Sequence, residues 1–493
     1  MIEQNGGIFA AFALYILVML AIGIYHWRKE QSMSDYILGG RQLGAWVTSM
    51  SAEASDMSGW MLMGLPGYAY VAGVQAGWIA LGLMLGTWIN WQFVAKRLRQ
   101  YTQIANDSLT LPDYFENRFH DKSQILRIAS ALFILIFFLI YTSSGFVAGG
   151  KLFQTVFGLP YITAMVLGAL VVVFYTFLGG FMAVCWTDFV QGVMMFFAII
   201  AVPVTAACFL GGPAATAQAL NTLNPEMFNP FTKPDGQMLT AIEIISLLAW
   251  GLGYFGQPHI LVRFMAIRSS GEIQRATNIA MTWVVFSLIA AVLVGMVGRV
   301  YLQQPLEGSA VETVFMVMTH ELFSSFFAGL ILSAVLAAVM STASSQLLVT
   351  ASAVSQDFYK ALLRKNASEK ELVWVSRLTV VGVSLLAIVL GLDPDNFVLN
   401  MVAYAWAGFG AAFGPVLVIS LFWRRMTRNG ALAGMIVGGV TVLIWKQFSW
   451  FGLYEIVPGF FLSCLTIYVV SLFDEEPSEA ILADFAEVEK NQI

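Results

Sequence analysis

Charge is what this sequence has least of. Only 11% of its 493 residues are Asp, Glu, Lys or Arg, whereas a soluble globular chain carries about 25%. That scarcity excludes a protein with water on every face. A net charge of −5 with no basic tract excludes a nucleic-acid footprint as well. Cysteine is nearly absent: Cys185, Cys208 and Cys464 are odd in number and each lies in an apolar stretch. A disulfide framework is thereby excluded, and the three read as small buried hydrophobes. The four histidines (His26, His120, His259, His320) are scattered, with no HExxH pair and no Ser/His/Asp arrangement, so no hydrolytic enzyme is legible. Long polar loops are scarce too. The largest, around 212–240, contains NPEMFNPFTKPDG. The start MIEQNGG lacks the positive n-region of a cleavable signal, and the first apolar stretch is long enough to remain as a membrane helix.

What is present is apolar sequence: 58% of residues are hydrophobic and the mean hydropathy is +0.75. These residues fall into runs of the length that crosses a bilayer, about 20 residues as helix. The runs predict an all-α polytopic membrane protein with about thirteen transmembrane helices, near 8–27, 43–71, 74–97, 124–157, 161–179, 187–211, 241–263, 275–303, 322–356, 371–392, 396–423, 429–449 and 454–473. With the N-terminus outside, the loops of one side hold Arg28, Lys29, Arg41, Lys96, Arg97, Arg99, Arg118, Lys122, Arg127, Arg263, Arg268, Arg275, Lys360, Arg364, Lys365, Lys370, Arg377, Arg424, Arg425, Arg428 and Lys490. The other side holds only Lys151, Lys233, Arg299 and Lys446. Excess basic residues mark the cytoplasmic side, which puts the acidic tail 474–493 in the cytoplasm as a short, peripheral segment.

Transporter sites lie where Gly- or Pro-interrupted helices meet at mid-membrane. Two segments fit: SMSAEASDMSGWMLMGLPG at 49–67 and LLAWGLGYFGQPHI at 247–260. They stand five helices apart, as the first members of two five-helix units (43–211 and 241–423). Because five is odd, the units are inverted relative to each other. In the first segment Asp56 is the sharpest residue, since an aspartate at the bilayer centre costs about 2.5–3.5 kcal/mol even on a lenient scale. A bound cation offsets that cost. The competing reading is an ion pair with a basic residue of another helix, but none is expected at that depth. Glu53, on the same helical face, either pairs with Arg41 or joins the cation path. In the second segment Trp250, Tyr254, Gln257 and Pro258 combine aromatic surface with carbonyls that Pro258 frees; plain packing of a glycine-softened helix is the alternative. Small residues at Ser333, Ala337, Ser341 and Ser345, with Thr342 alongside, read either as close helix packing or as hydroxyls for a hard cation.

These motifs, with LTLPDYFENRF, YTFLGGFMAVCWTDFVQ, LSAVLAAVMSTASSQLLV and AYAWAGFGAAFGP, resemble the sodium:solute symporter family over about residues 36–470. SDMSGW and GYFGQPHI resemble its proline-transporting branch. The resemblance implies a five-plus-five inverted repeat of the leucine-transporter type, with peripheral helices 8–27, 429–449 and 454–473. It implies a sodium site of carbonyls near Ala54, Met57 and Ala338 with the Ser341 and Thr342 hydroxyls, and Asp56 as the essential acid. Ser58, Gly59, Tyr141, Trp250, Tyr254, Gln257 and Pro258 match proline-binding positions, and Asp188 and Arg41 match positions of the cation path and of coupling. Glu53 departs from the small residue expected there and leaves room for an altered cation dependence. The function implied is sodium-coupled symport of L-proline by a monomer in the bacterial inner membrane; the alternative is another small organic solute.

Overall fold

The computed structural model describes residues 2–27, 33–178 and 180–490; Arg28 and Lys29 of the basic set and Gly179 of the GG element lie outside them. Among the described residues all regular structure is helical, save two isolated bridges, Leu43 to Ile267 and Thr232 to Met238. The helices that build the bundle are α1 Ile2–Trp27, α2 Ala45–Asp56, α3 Leu65–Ala72, α4 Gly77–Ile89, α5 Ala95–Ile104, α6 Ile125–Phe157, α7 Tyr161–Leu178, α8 Phe181–Phe209, α9 Ala241–Leu248, α10 Pro258–Ala266, α11 Ile273–Tyr301, α12 Ser325–Ser352, α13 Glu369–Leu390, α14 Val398–Phe422, α15 Arg428–Phe448 and α16 Ile456–Phe473. Short helices at Leu111–Arg118, Pro213–Leu223 and Val314–Leu322 fold the connections, including most of the first half of the long loop.

Ten helical stretches among the described residues are long and apolar enough to cross a membrane, fewer than the thirteen expected. The difference has a physical cause. The second predicted helix is broken after Asp56, and its outer part runs on with the third as one stretch, Trp60–Ile104. The fifth and seventh are shorter apolar helices, Tyr161–Phe177 and Ala241–Gly256. Both expected interruptions are present. Met57 (φ −78°, ψ 73°) leaves the helical conformation, and the chain restarts as a wide π turn at Trp60–Gly64 before α3. Pro66 sits in the first turn of α3, where the N–H it lacks would have no helical partner. In the seventh segment a capping box of Thr240 and Glu243 starts α9. The chain then tightens to 3-10 turns over Ala249–Gly256, extends at Gln257 (φ −84°, ψ 105°) and resumes at Pro258 as α10.

Glycine in this narrow segment is required by close approach. A Cβ on Gly251 would overlap the Gly82 carbonyl of α4, and one on Gly253 would overlap the Trp406 indole of α14. Packing and interruption are thus one feature: small residues let the 3-10 segment lie against α4 and α14. Around it, α2 packs on α8, α10, α11 and α12, while α6 fits between α12 and α14. Helix α1 lies on α12 and α8, and α15 and α16 cover α14. Phe197, Phe286, Leu385, Val389 and Phe461 project outward, the apolar perimeter that a lipid-facing bundle presents. Of the cysteines only Cys185 is buried; Cys208 is exposed on that perimeter and Cys464 is intermediate, because an outward thiol needs no protein partner in lipid.

The acidic tail is ordered as a helix, α17 Glu479–Lys490. It folds back with Ile481, Phe485 and Val488 buried, and the Phe485 ring lies 5.2 Å from the Arg97 guanidinium carbon and 5.4 Å from that of Arg118.

Two alanine substitutions separate packing glycines from free ones. Gly253→Ala is expected to abolish the folded, monodisperse protein in detergent. Gly382→Ala, in α13 with open space around the new Cβ, is expected to be neutral or to stabilise by about 0.5–1 kcal/mol. Size-exclusion profiles and thermal melts of the two variants check this; equal behaviour would refute the packing role.

Candidate functional site

The break in α2 gathers the candidate residues. A helix continued past Asp56 would send the Ser58 N–H to the Ala54 carbonyl. Instead Ser58 N–H donates to the Asp56 carbonyl at 2.8 Å. Two hydroxyls of α12 take its place at Ala54: Ser341 Oγ donates at 2.7 Å and Thr342 Oγ1 lies at 3.5 Å. Ser341 Oγ is also 3.3 Å from the Ala338 carbonyl. Ala54, Ala338, Ser341 and Thr342 therefore converge as a set of neutral oxygens, with Met57 at the exit of the same turn. The oxygen-only chemistry fits a hard monovalent or divalent cation.

Asp56 is fully buried beside this set. Its Oδ2 accepts from the Tyr254 hydroxyl at 2.6 Å, and its carbonyl accepts from the Trp60 indole at 3.1 Å and from the Tyr141 hydroxyl at 3.5 Å. Oδ1 has no hydrogen-bond partner, and no basic side chain among the described residues forms an ion pair with Asp56. Glu53 is 2% exposed and accepts from the Trp91 indole at 2.9 Å. Its expected alternative partner, Arg41, is engaged elsewhere. Arg41 donates to Asp107 at 2.9 Å, to the Met265 carbonyl at 2.6 Å and to the Ser108 carbonyl at 2.9 Å. The Glu53–Arg41 pair is therefore excluded.

Ser58 and Gly59 occupy the restart of the broken helix, where a Cβ on Gly59 would lie 2.7 Å from that of Ala148 in α6. Trp250 lies across the break, its ring 6.2 Å from that of Trp60 and 5.8 Å from that of Tyr454. The Trp250 carbonyl accepts from the Trp406 indole at 2.7 Å. Gln257 donates to the carbonyls of Gly253 (3.1 Å) and Trp406 (3.3 Å), so its amide ties the interrupted segment to α14. Pro258 opens α10, and next to it the buried His259 ring packs on Phe138 and Tyr141.

Asp188 and Arg41 do not join this cluster. Asp188 Oδ2 accepts from Ser51 at 2.7 Å and from Arg263 Nη2 at 3.1 Å. Arg263 also donates to the Ser345 hydroxyl at 2.5 Å and to the His259 carbonyl at 2.6 Å. This corrects the placement of Arg263 in a cytoplasmic loop and the expectation of no basic residue at depth, since both Arg263 and Asp188 are fully buried. The guanidinium of α10 reaches inward and joins α2, α8 and α12. Hydropathy averages along the chain, so one charge at the end of an apolar run reads as loop; the run PHILVRFMA was the only hint. Trp91 and Trp406 carry no site signal in the linear sequence, since an indole that donates to a buried oxygen has the same hydropathy as one that only packs.

A model of the sodium:solute symporter family matches residues 36–438. The chain belongs to that family. It is a secondary transporter, not an enzyme. The sodium/proline symporter of Escherichia coli (strain K12) is 53% identical over 483 residues, 97% of this chain and 95% of the relative. The high-affinity proline transporter PutP of Bacillus subtilis (strain 168) is 50% identical over 472 residues, 95% of this chain and 98% of its own. Among solved structures, a Na+-coupled sialic acid symporter in a substrate-bound outward-open state superposes with a TM-score of 0.80 at 19% identity, covering 96% of this chain and 99% of its own. A nucleobase-cation-symport-1 family transporter in a closed conformation gives 0.54 at 14% identity, covering 92% and 98%. These two share the fold.

Breaking a buried ion pair by removing one partner costs about 3–5 kcal/mol, more than the pair itself contributes. Asp188→Asn is therefore expected to lower the thermal stability of the detergent-solubilised protein sharply. Adding Arg263→Gln is expected to recover part of the loss. A double variant as unstable as the sum of the singles would show that the two groups act independently.

Proposed function

We propose that this chain couples the inward movement of sodium to the uptake of L-proline by alternating access. The observation that carries the proposal is the convergence of the Ser341 and Thr342 hydroxyls on the Ala54 carbonyl, beside a buried aspartate without a basic partner. Sodium is the co-substrate, held by the carbonyls of Ala54, Met57 and Ala338 and by the two hydroxyls, with the charge of Asp56 adjacent. The naming of relatives at about half identity as proline symporters supports the choice of solute.

Proline is a zwitterion with a compact apolar ring. Its carboxylate suits the N–H groups at the restart of a broken helix, around Ser58 and Gly59. Its ring suits the aromatic faces of Tyr141, Trp250 and Tyr254, which offer area at low entropic cost. Gln257 and Pro258 hold the other interrupted segment in shape. Because the hydroxyls of α12 hold the turn that carries Ser58, sodium lowers the cost of ordering the proline site, and proline must aid sodium equally. Outside that cluster, the Asp188–Arg263 pair ties α2 to α8, α10 and α12 on the cation path, and Arg41 ties the approach to α2 to the end of α10.

The architecture in this reading has thirteen crossings, the two broken ones included. Residues 43–211 and 241–423 form the inverted five-helix halves, with 8–27, 429–449 and 454–473 peripheral and 474–493 a cytoplasmic tail. The N-terminus lies outside the bacterial inner membrane, as the excess of Lys and Arg on the opposite side requires, and the monomer is the working unit. Driving force is ample. One charge moving through 100 mV supplies about 2.3 kcal/mol, and a tenfold sodium gradient about 1.4 kcal/mol. Together they sustain accumulation of roughly 500-fold at one-to-one coupling.

In proteoliposomes an inward sodium gradient is expected to drive uptake of labelled proline, and uptake unaffected by the gradient would sink the reading. Asp56→Ala is expected to abolish sodium-stimulated proline binding while the protein still inserts and purifies. Trp250→Ala is expected to weaken proline binding roughly tenfold. A competition panel of amino acids, sugars and carboxylates decides the solute: tighter binding of any other compound overturns proline.

A further inference from the structure

The sodium site just described uses one side of α2, the side that meets α12. On the side that meets α4 lies a second group of oxygens that this site does not use. Glu53 and Asp56 stand three residues apart on one helix, so their side chains are neighbours. Both are buried, Glu53 at 2% and Asp56 at 0% exposure. Each carboxylate has one oxygen held by a single neutral donor: Trp91 Nε1 at 2.9 Å for Glu53 and the Tyr254 hydroxyl at 2.6 Å for Asp56. The second oxygens, Glu53 Oε2 and Asp56 Oδ1, have no hydrogen-bond partner, and neither residue forms an ion pair among the described residues.

The facing helix contributes two further oxygens. The Thr87 hydroxyl lies within hydrogen-bonding reach of the Tyr254 hydroxyl, and the buried Asn90 amide oxygen has no partner of its own among the described residues. The Asn90 amide nitrogen is anchored on the Tyr254 carbonyl at 3.1 Å, which fixes the side chain next to the same tyrosine. Here the third crossing departs from a regular helix. Residues Asn90–Val94 form a π turn, a local widening that recurs at functional sites, and it turns Trp91 onto Glu53.

Two carboxylates and two neutral oxygens, buried and without an ion-paired base among the described residues, make a ligand set for a hard cation. The charge count points the same way. One sodium at the Ala54–Ser341 side balances only one of the two carboxylates when both are ionised, and a second monovalent cation lets Glu53 ionise there in place of holding a proton. We infer that Glu53, Asp56, Thr87 and Asn90 form a second sodium site between α2 and the junction of α4 with the π turn Asn90–Val94, and that Glu53 makes this chain carry two sodium ions for each proline. The inference rests on the transport reading above and adds to it the number of ions and the residue that sets it.

Two measurements on the full-length purified protein test it: equilibrium binding of ²²Na⁺ at saturating proline, and the ratio of ²²Na⁺ to labelled proline taken up by proteoliposomes. The unmodified protein is expected to bind two sodium ions and transport them in a two-to-one ratio, with a sigmoid sodium dependence. Glu53→Gln, which keeps the shape and the Trp91 hydrogen bond, is expected to bind one, with a one-to-one ratio and a hyperbolic dependence. If Glu53→Gln does not fold, Thr87→Val carries the test through loss of the second, weaker sodium step. A ratio of one in the unmodified protein overturns the site, as does a Glu53→Gln protein that still carries two, or a Thr87→Val protein that keeps both steps. Absence of any sodium binding in the unmodified protein overturns the transport reading itself, and the second site with it.

Discussion

A helix interrupted inside hydrocarbon exposes backbone N–H and C=O groups that lipid cannot satisfy, and each such group left bare costs several kcal/mol. The structure of this transporter is organised around that constraint at two places, Asp56–Gly59 and Ala249–Gln257. In the first, the Ala54 carbonyl loses its helical donor and receives two hydroxyls from α12. In the second, the Trp250 carbonyl receives the Trp406 indole, and the Gly253 carbonyl receives the Gln257 amide. Side chains, from other helices and in Gln257 from the segment itself, thus do what the next turn of the same helix would otherwise do. Bonds of that kind exchange readily for a cation or a substrate, which a regular helical ladder does not permit.

The same constraint explains how the charges are placed. Among the described residues, three of the buried acidic groups lie around the break in α2: Glu53, Asp56 and Asp188. Asp188 is answered by Arg263, an arginine that spends four of its five donors on a carboxylate, two hydroxyls and a carbonyl. Its role is to join four helices. Glu53 and Asp56 are answered only by neutral donors. The fold gives the buried Asp188, Glu312 and Asp357 basic partners, and among the described residues it gives Glu53 and Asp56 none. The small residues of α12 serve both purposes: Ser345 meets Arg263, and one turn earlier Ser341 meets Ala54.

The membrane class, the positions of the two interruptions and the importance of Asp56 were legible in the linear chain, for definite reasons. Hydropathy over twenty residues reports burial in lipid directly, and an aspartate or a proline within such a run is a local anomaly that needs no partner to be seen. Ser341 and Thr342 were legible only as one of two readings, because small residues that pack and hydroxyls that bind look alike until the facing helix is known. Arg263 was misplaced because a terminal arginine of an apolar run is consistent with a loop or with an inward turn. The thirteen expected helices became ten long stretches because the broken second helix runs on into the third, the interrupted seventh is short, and the fifth is a short apolar helix.

By itself the sequence determined that the chain lies in a membrane, where its helices fail, and which acids are too costly to leave unexplained, since all three follow from the free energy of single residues in hydrocarbon. Only the tertiary structure decided which acids have partners. That Asp188 is paired with Arg263, that Arg41 is spent on Asp107 and not on Glu53, and that Glu53 meets Trp91 of a π turn are contacts between residues 38 to 75 positions apart. Contacts at such separations depend on how whole helices are stacked, and no periodicity within one helix encodes the face that its neighbour presents.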